Sequence, residues 1–211
     1  MAEILFASHN SGKLSEIKTL LAPMGVKILT SNEVGIPNDF DVDETGATFT
    51  ENAELKTRAF AGQLFPASFT DLWILADDGG LMVDALNGSP GVHSKRFISG
   101  NDHDRNREVL KRLAEITDPQ KRKAHYESIF CLLKLGSPDA HFFKGEMYGQ
   151  IGFEEKGAAG FGYDFIFIPD GYQNTIGELG IEIKNKLSHR AHAVQELINF
   201  WKENISTISS S

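Results

Sequence analysis

Residues 124–151 restrict the fold most. Ala124 to Leu135 and His141 to Ile151 are two long, largely apolar runs separated by Gly136-Ser137-Pro138-Asp139. A turn of that composition between two such runs predicts adjacent antiparallel strands. Upstream the pattern alternates between strand and helix. Glu3 to Ser8 predicts a buried strand, and Leu14, Ile17, Leu20, Leu21 and Met24 share one face of a helix that stops near Gly25. Val26 to Thr30 predicts a second strand. Thr48-Phe49-Thr50-Glu51 has the spacing of a capping box and opens a helix through about Phe60. Trp73 to Ala76 predicts a short strand that ends abruptly at Asp77-Asp78-Gly79-Gly80. Arg105 to Ile116 predicts an amphipathic helix, Phe165 to Ile168 a strand, and Ser188 the cap of a last helix. Strands that alternate with helices and then run antiparallel predict an α/β fold, a mixed β-sheet flanked by helices. No linker divides the chain, so residues 1–205 are expected to form one α/β domain of two lobes. The Ser-rich stretch 206–211 is expected to be a frayed tail.

The net charge of -8 argues against a nucleic-acid partner, because binding that backbone depends on Lys and Arg contacts to phosphate. A small phosphorylated ligand stays open, since a few cations and a metal can reverse the field locally. No apolar run approaches the ~20 residues of a membrane span, and Met1-Ala2-Glu3 lacks a basic leader, so a cytoplasmic protein without a membrane partner is expected. The single cysteine, Cys131, excludes an internal disulfide, and its apolar neighbours predict a buried thiol.

Four clusters carry chemistry. Ser8-His9-Asn10-Ser11-Gly12-Lys13 is a strand-to-helix turn whose backbone N–H groups and lysine suit an anion. It lacks the earlier glycine and following Ser/Thr of a Walker A loop, and alone it reads equally well as a tight turn with a surface lysine. Asp77 and Asp78 repel each other unless a cation joins them. Their hard oxygens suit Mg²⁺ bridged to substrate phosphates, with Glu44 as a plausible third carboxylate. A plain Asp-Gly turn is the alternative, against which stands the expense of placing two acids directly after Trp-Ile-Leu-Ala. Gly160-Phe161-Gly162-Tyr163-Asp164 can bring backbone and an aromatic ring close to a base, or can pack Phe161 and Tyr163 into the core. Lys184 and Ser188-His189-Arg190 form the fourth. His189 and Arg190 in a first helical turn oppose the helix dipole, which a ligand with acceptor groups would explain; a solvated pair is the alternative.

Taken together, these clusters resemble the inosine triphosphate pyrophosphatase family over nearly the whole chain. The carrying segments are Ala7 to Lys13, Glu44-Thr45-Gly46 with Glu51-Asn52-Ala53 and Lys56, and Leu75 to Leu81. They continue in order with Gly88 to Arg96, Gly160 to Asp164, and Lys184 with Ser188-His189-Arg190. The resemblance implies an elongated mixed sheet, two lobes with a central active-site cleft, and a homodimer. It implies hydrolysis of deaminated purine nucleoside triphosphates (ITP, dITP, XTP) to the monophosphate and pyrophosphate. Ser8, His9, Asn10, Ser11, Gly12, Lys13 and Lys56 would hold the triphosphate, and Glu44, Asp77 and Asp78 the Mg²⁺, with Asp78 as proton acceptor. Phe161, Gly162, Tyr163, Asp164, Lys184, His189 and Arg190 would surround the nucleoside. Three positions depart from the family pattern: Gly79 replaces the usual Ser, leaving only a backbone N–H toward substrate, Phe165 the usual Pro, and Gly177 a common Ala. A nucleotide-binding module without turnover is the competing class, but clustered carboxylates beside a triphosphate would only repel it without a metal.

Overall fold

The computed structural model describes residues 2–37, 39–64, 69 and 71–205. The tail expected at 206–211 lies outside the described residues. The strands are β1 (Glu3–Phe6), β2 (Lys27–Leu29), β3 (Leu72–Val83), β4 (Lys123–Lys134), β5 (Ala140–Ile151) and β6 (Phe167–Pro169). The α-helices are α1 (Ser11–Leu21), α2 (Phe49–Gln63), α3 (Asp102–Arg112), α4 (Ile176–Leu179), α5 (Ile181–Leu187) and α6 (His189–Asn204). The sheet order is β2-β1-β3-β4-β5-β6. β1 runs parallel to β2 and β3, and β5 antiparallel to β6, so the sheet is mixed as expected. Only five residues join the neighbours β4 and β5, too few for a parallel crossover, so that pair is the predicted hairpin.

The chain forms two compact units: Met1–Asp78 with Ser128–Lys144 and His192–Ser211, and Gly79–Glu127 with Gly145–Ala191. In the first unit the parallel strands are apolar on both faces, as burial on both sides requires. Ile4 and Phe6 of β1 point with Trp73 and Leu75 of β3 toward Ile17 and Leu21 of α1 and Val194, Leu197 and Trp201 of α6. The alternate positions, Leu5, Ala7, Leu72, Ile74 and Ala76, pack with Phe60 of α2. The period of two along each strand thus assigns α1 and α6 to one face and α2 to the other. Cys131 is buried in β4, and burial pushes its thiol up to about 11, leaving an unreactive group.

In the second unit, Leu81, Val83, Val109, Leu113, Tyr126, Met147, Ile151, Tyr163 and Phe167 form the core. Buried Arg122 ties its edge together. Its guanidinium donates to the carbonyls of Ile151 (2.9 Å), Leu113 (2.8 Å), Ile116 (3.1 Å) and Gly152 (2.6 Å), joining the end of α3 to the end of β5. Burial lowers its pKa, and every bond it makes is to a neutral carbonyl.

The structure corrects several expectations. β3 does not end at Ala76 but runs through Asp77-Asp78-Gly79-Gly80 to Val83. Gly80 reads as a turn signal, yet its missing side chain serves close packing. A Cβ there would collide with Ser94 Oγ and lie 2.6 Å from Gly91 O. Leu81 N–H donates to the same Ser94 Oγ at 2.9 Å. Gly79 is likewise a strand residue, so its backbone would accept a serine. Helix α3 begins three residues earlier than Arg105, because Asn101 and Asp104 form a capping box, and it ends at Arg112 rather than Ile116. β6 starts at Phe167 rather than Phe165, since the amides of Ile166 and Phe167 still donate to Tyr163 O within a turn.

Arg122→Met preserves much of the buried volume but strands carbonyls that need donors. Each unsatisfied group costs ~1–3 kcal/mol, so a loss of about 3 kcal/mol or more is expected by urea denaturation. A change under ~0.5 kcal/mol, as for an ordinary surface site, would show that Arg122 is not structural.

Candidate functional site

β1 delivers its chain end at a sharp turn. Ala7 N–H still donates to Leu75 O (2.8 Å), after which Asn10 caps α1 by accepting from Lys13 N–H at 3.0 Å. Ser11, Gly12 and Lys13 therefore form the first turn of the helix, which starts earlier than the strand-to-helix turn of the sequence reading implied. His9 is anchored by Nε2 at 2.8 Å from Phe40 O and lies against the Phe60 ring.

Lys13 reaches back to the acid pair, donating to Asp77 Oδ1 at 3.1 Å. Lys56 of α2 donates to Asp77 O (3.0 Å), pairs with Glu44 Oε1 (2.8 Å) and stands 3.9 Å from Asp78 Oδ1. Glu44 is brought there by a clamp at the start of α2. The capping box of Thr48 and Glu51 forms as predicted, Glu51 also accepts from Ala47 N–H (2.7 Å), and buried Asn52 accepts from Gly46 N–H (2.8 Å). Gly46 is required, because a Cβ would press against Asn52 Oδ1 and Glu51 Cβ at 2.7 Å. Asn52 is thus a positioning residue, a role that sequence reasoning did not assign to it.

The electrostatics are those of a reactive site. Asp77 is fully buried and Asp78 is 7% exposed. Burial pushes the Asp78 carboxyl above the usual range, with Lys56 and Lys13 opposing and Glu44 and Asp77 adding to the rise. Burial also works against the Lys56 ammonium, but the Asp78, Asp77 and Glu44 carboxylates outweigh it and raise its pKa. Asp78 Oδ2 is buried with no hydrogen-bond partner among the described residues. Three carboxylates with an oxygen still unsatisfied are a donor set that fits a hard divalent cation.

In the second unit, the fourth sequence cluster is buried rather than solvated: Lys184 is 1%, His189 2% and Arg190 5% exposed. Asp164 Oδ2 accepts from Lys184 Nζ (2.7 Å) and from Phe161 N–H (2.9 Å). Lys184 Nζ stands 3.9 Å from the Phe161 ring centroid and the Arg190 guanidinium 5.5 Å, so this ring faces two cations. His189 stacks on Tyr126 with centroids 4.7 Å apart and planes 4° from parallel. Ser188 Oγ accepts from Ala191 N–H at 3.1 Å, the expected cap. Tyr163 packs in the core with its hydroxyl on Ser94 O (2.8 Å), and Gly162 N–H donates to Asp102 Oδ2 (2.6 Å). Gly160 has φ +93, and a Cβ there would strike Asp164 Oδ2. Two of the departures from the family pattern meet: an alanine Cβ at Gly177 would lie 3.0 Å from Phe165 Cδ1 and 2.6 Å from Lys156 O.

The second unit also holds a group that sequence reasoning missed. His125, Glu127 and Glu146 each bring a ligand atom within 4.8 Å of the others, a cluster able to hold a metal. No short motif announces it, because its members come from two strands.

Gly160→Ala should lower the unfolding free energy by about 1–3 kcal/mol, the range for a strained backbone position, read from the urea midpoint. An unchanged midpoint would mean that Asp164 moves aside freely.

Residues 4–200 match the family model described as the Ham1 family. A dITP/XTP pyrophosphatase of Symbiobacterium thermophilum is 42% identical over 193 residues, covering 90% of each chain. The structure of a HAM1 protein from Coxiella burnetii superposes with a TM-score of 0.82 at 38% identity, covering 96% of this chain and 100% of that one. The Staphylococcus aureus Ham1 protein gives 0.80 at 34% identity, covering 95% and 98%. With the match running nearly end to end, the chain belongs to the Ham1 family.

Proposed function

We propose that this protein is a nucleoside triphosphate pyrophosphatase that hydrolyses deaminated purine nucleotides, ITP, dITP and XTP, to the monophosphate and pyrophosphate. The observation that carries the reading is the buried cluster of Asp77, Asp78 and Glu44 with Lys13 and Lys56. Its three carboxylates exceed its two ammoniums, so as it stands it repels a triphosphate. Mg²⁺ on Glu44, Asp77 and Asp78 would reverse that sign and supply Lewis acidity at the phosphate oxygens. Lys13 and Lys56 hold phosphates, together with the Ser8-to-Gly12 turn and Gly79 N–H, and offset charge on the departing pyrophosphate. Asp78, its pKa raised by burial, takes the proton of the attacking water.

Base choice falls to the second unit. Hypoxanthine and xanthine carry an acceptor at O6, where adenine carries an amino donor. Arg190 and Lys184 can only donate, so a site containing them accepts O6 and leaves ATP with donor facing donor. Phe161 to Asp164, with its close backbone, is the segment that would exclude the C2 amino group of guanine. His189 completes the set. No helix among the described residues is long and apolar enough to cross a membrane. We place the enzyme in the cytoplasm as a homodimer, the dimer on family resemblance alone, with a nucleotide rather than a nucleic acid as its ligand.

Asp78→Asn should keep the fold and reduce pyrophosphate release ~10²–10⁴-fold, the usual cost of a positioned base. Activity within a few-fold of wild type would remove Asp78 from the mechanism. Across a panel of triphosphates with and without Mg²⁺, ITP and XTP should far exceed ATP and GTP, since unpaired buried donors discriminate by up to ~10⁴–10⁵. Arg190→Ala should lose much of that preference. Equal hydrolysis of ATP and ITP by the wild type would overturn the substrate class.

A further inference from the structure

In the second unit, β5 buries Gly145, Met147, Gly149 and Ile151 and turns the alternate residues outward. On that strand Glu146 is half-buried, and on β4 His125 and Glu127, two residues apart, share a face. Their ligand atoms lie within 4.8 Å of one another. Ligands around a tetrahedral ion with bonds near 2.1 Å stand about 3.4 Å apart, a distance that small side-chain rotations reach from here. Two strands of one sheet fix the three backbones, so little chain must be ordered on binding.

The surroundings are arranged as those of a metal site. The Tyr148 ring stacks on His125 with centroids 5.3 Å apart and planes at 28°. Its hydroxyl donates to Glu146 Oε2 at 2.9 Å. One side chain therefore orients both an imidazole and a carboxylate, as the outer-shell partners of metal ligands do. We propose that His125, Glu127 and Glu146 form a binding site for a divalent transition metal of the zinc class, built from residues other than the Asp77-Asp78 cluster. The imidazole nitrogen excludes Mg²⁺ and Ca²⁺ as preferred occupants, which take oxygen ligands. Three protein ligands leave one position for water. A metal here clamps β4 to β5 and stabilises the second unit by mass action.

The test is a calorimetric titration of the full chain with zinc chloride in excess Mg²⁺, alongside thermal melting. The wild type should bind one equivalent of Zn²⁺ and melt at a higher temperature with it. Tyr148→Phe, which keeps the ring and deletes the hydroxyl, should weaken Zn²⁺ binding about 10-fold or more. His125→Gln should abolish binding and the thermal shift while Mg²⁺-dependent pyrophosphate release stays unchanged. Failure of the wild type to bind Zn²⁺ in excess Mg²⁺ would overturn the site. So would equal stoichiometry and affinity in His125→Gln, which would assign the metal to other histidines.

Discussion

Two adjacent carboxylates held in a nearly dry strand are the constraint on which the first unit depends. Asp77 and Asp78 follow five buried residues of β3, and Asp77 has no solvent exposure at all. Isolated, such a pair could not stay charged there. Lys13 and Lys56 make it possible, one from the first turn of α1 and the other from α2. Each lysine in turn fixes a helix against β3, so the charge arrangement and the packing of both faces of the sheet are set together. Buried ion pairs of this kind seldom add stability over apolar packing. Their presence in an otherwise apolar strand is therefore explained by chemistry rather than by folding.

That coupling also decides what could be read from the sequence. β1, α1, β2, the capping box of α2, the β4–β5 hairpin and the Ser188 cap are local patterns, and each formed within a few residues of where periodicity and turn chemistry put it, β1 ending at Phe6 and α1 at Leu21. The continuation of β3 was not legible. Asp-Asp-Gly-Gly is a turn by composition, and what keeps it extended is the place of β3 in the sheet between β1 and β4, strands distant in sequence. Gly80 misleads for the same reason, since its missing side chain makes room for Ser94. The start of α3 was missed because its box uses Asn101 and Asp104 in place of the Ser/Thr and Glu expected of the motif.

The candidate site was legible in kind and less so in arrangement. Residue types alone nominated Glu44, Asp77, Asp78 and Lys13, the family resemblance added Lys56, and the structure brings these five together. The burial of Lys184, His189 and Arg190 could not be foreseen, because such residues are seldom fully buried unless paired. The pairing that buries Lys184 comes from Asp164, at the end of the glycine-rich segment. His125, Glu127 and Glu146 were invisible for a related reason. Alternation on one strand places two of them, but only strand pairing supplies the third.

The two buried sets differ in sign, and the difference bears on a protein whose net charge is -8. In the first unit, carboxylates outnumber lysines, so on the proposed reading the cluster would draw in a cation and admit an anion only with it. In the second, Lys184 and Arg190 both stand over the Phe161 ring, and the buried carboxylate Asp164 accepts from Lys184 and the Phe161 amide. Donors held out of water penalise any partner that cannot accept from them, so on the proposed reading selectivity there would follow from what the wrong base lacks. An acidic chain can therefore take a polyanionic nucleotide. On the proposed reading, a few buried groups decide, at contact, which small nucleotide is kept.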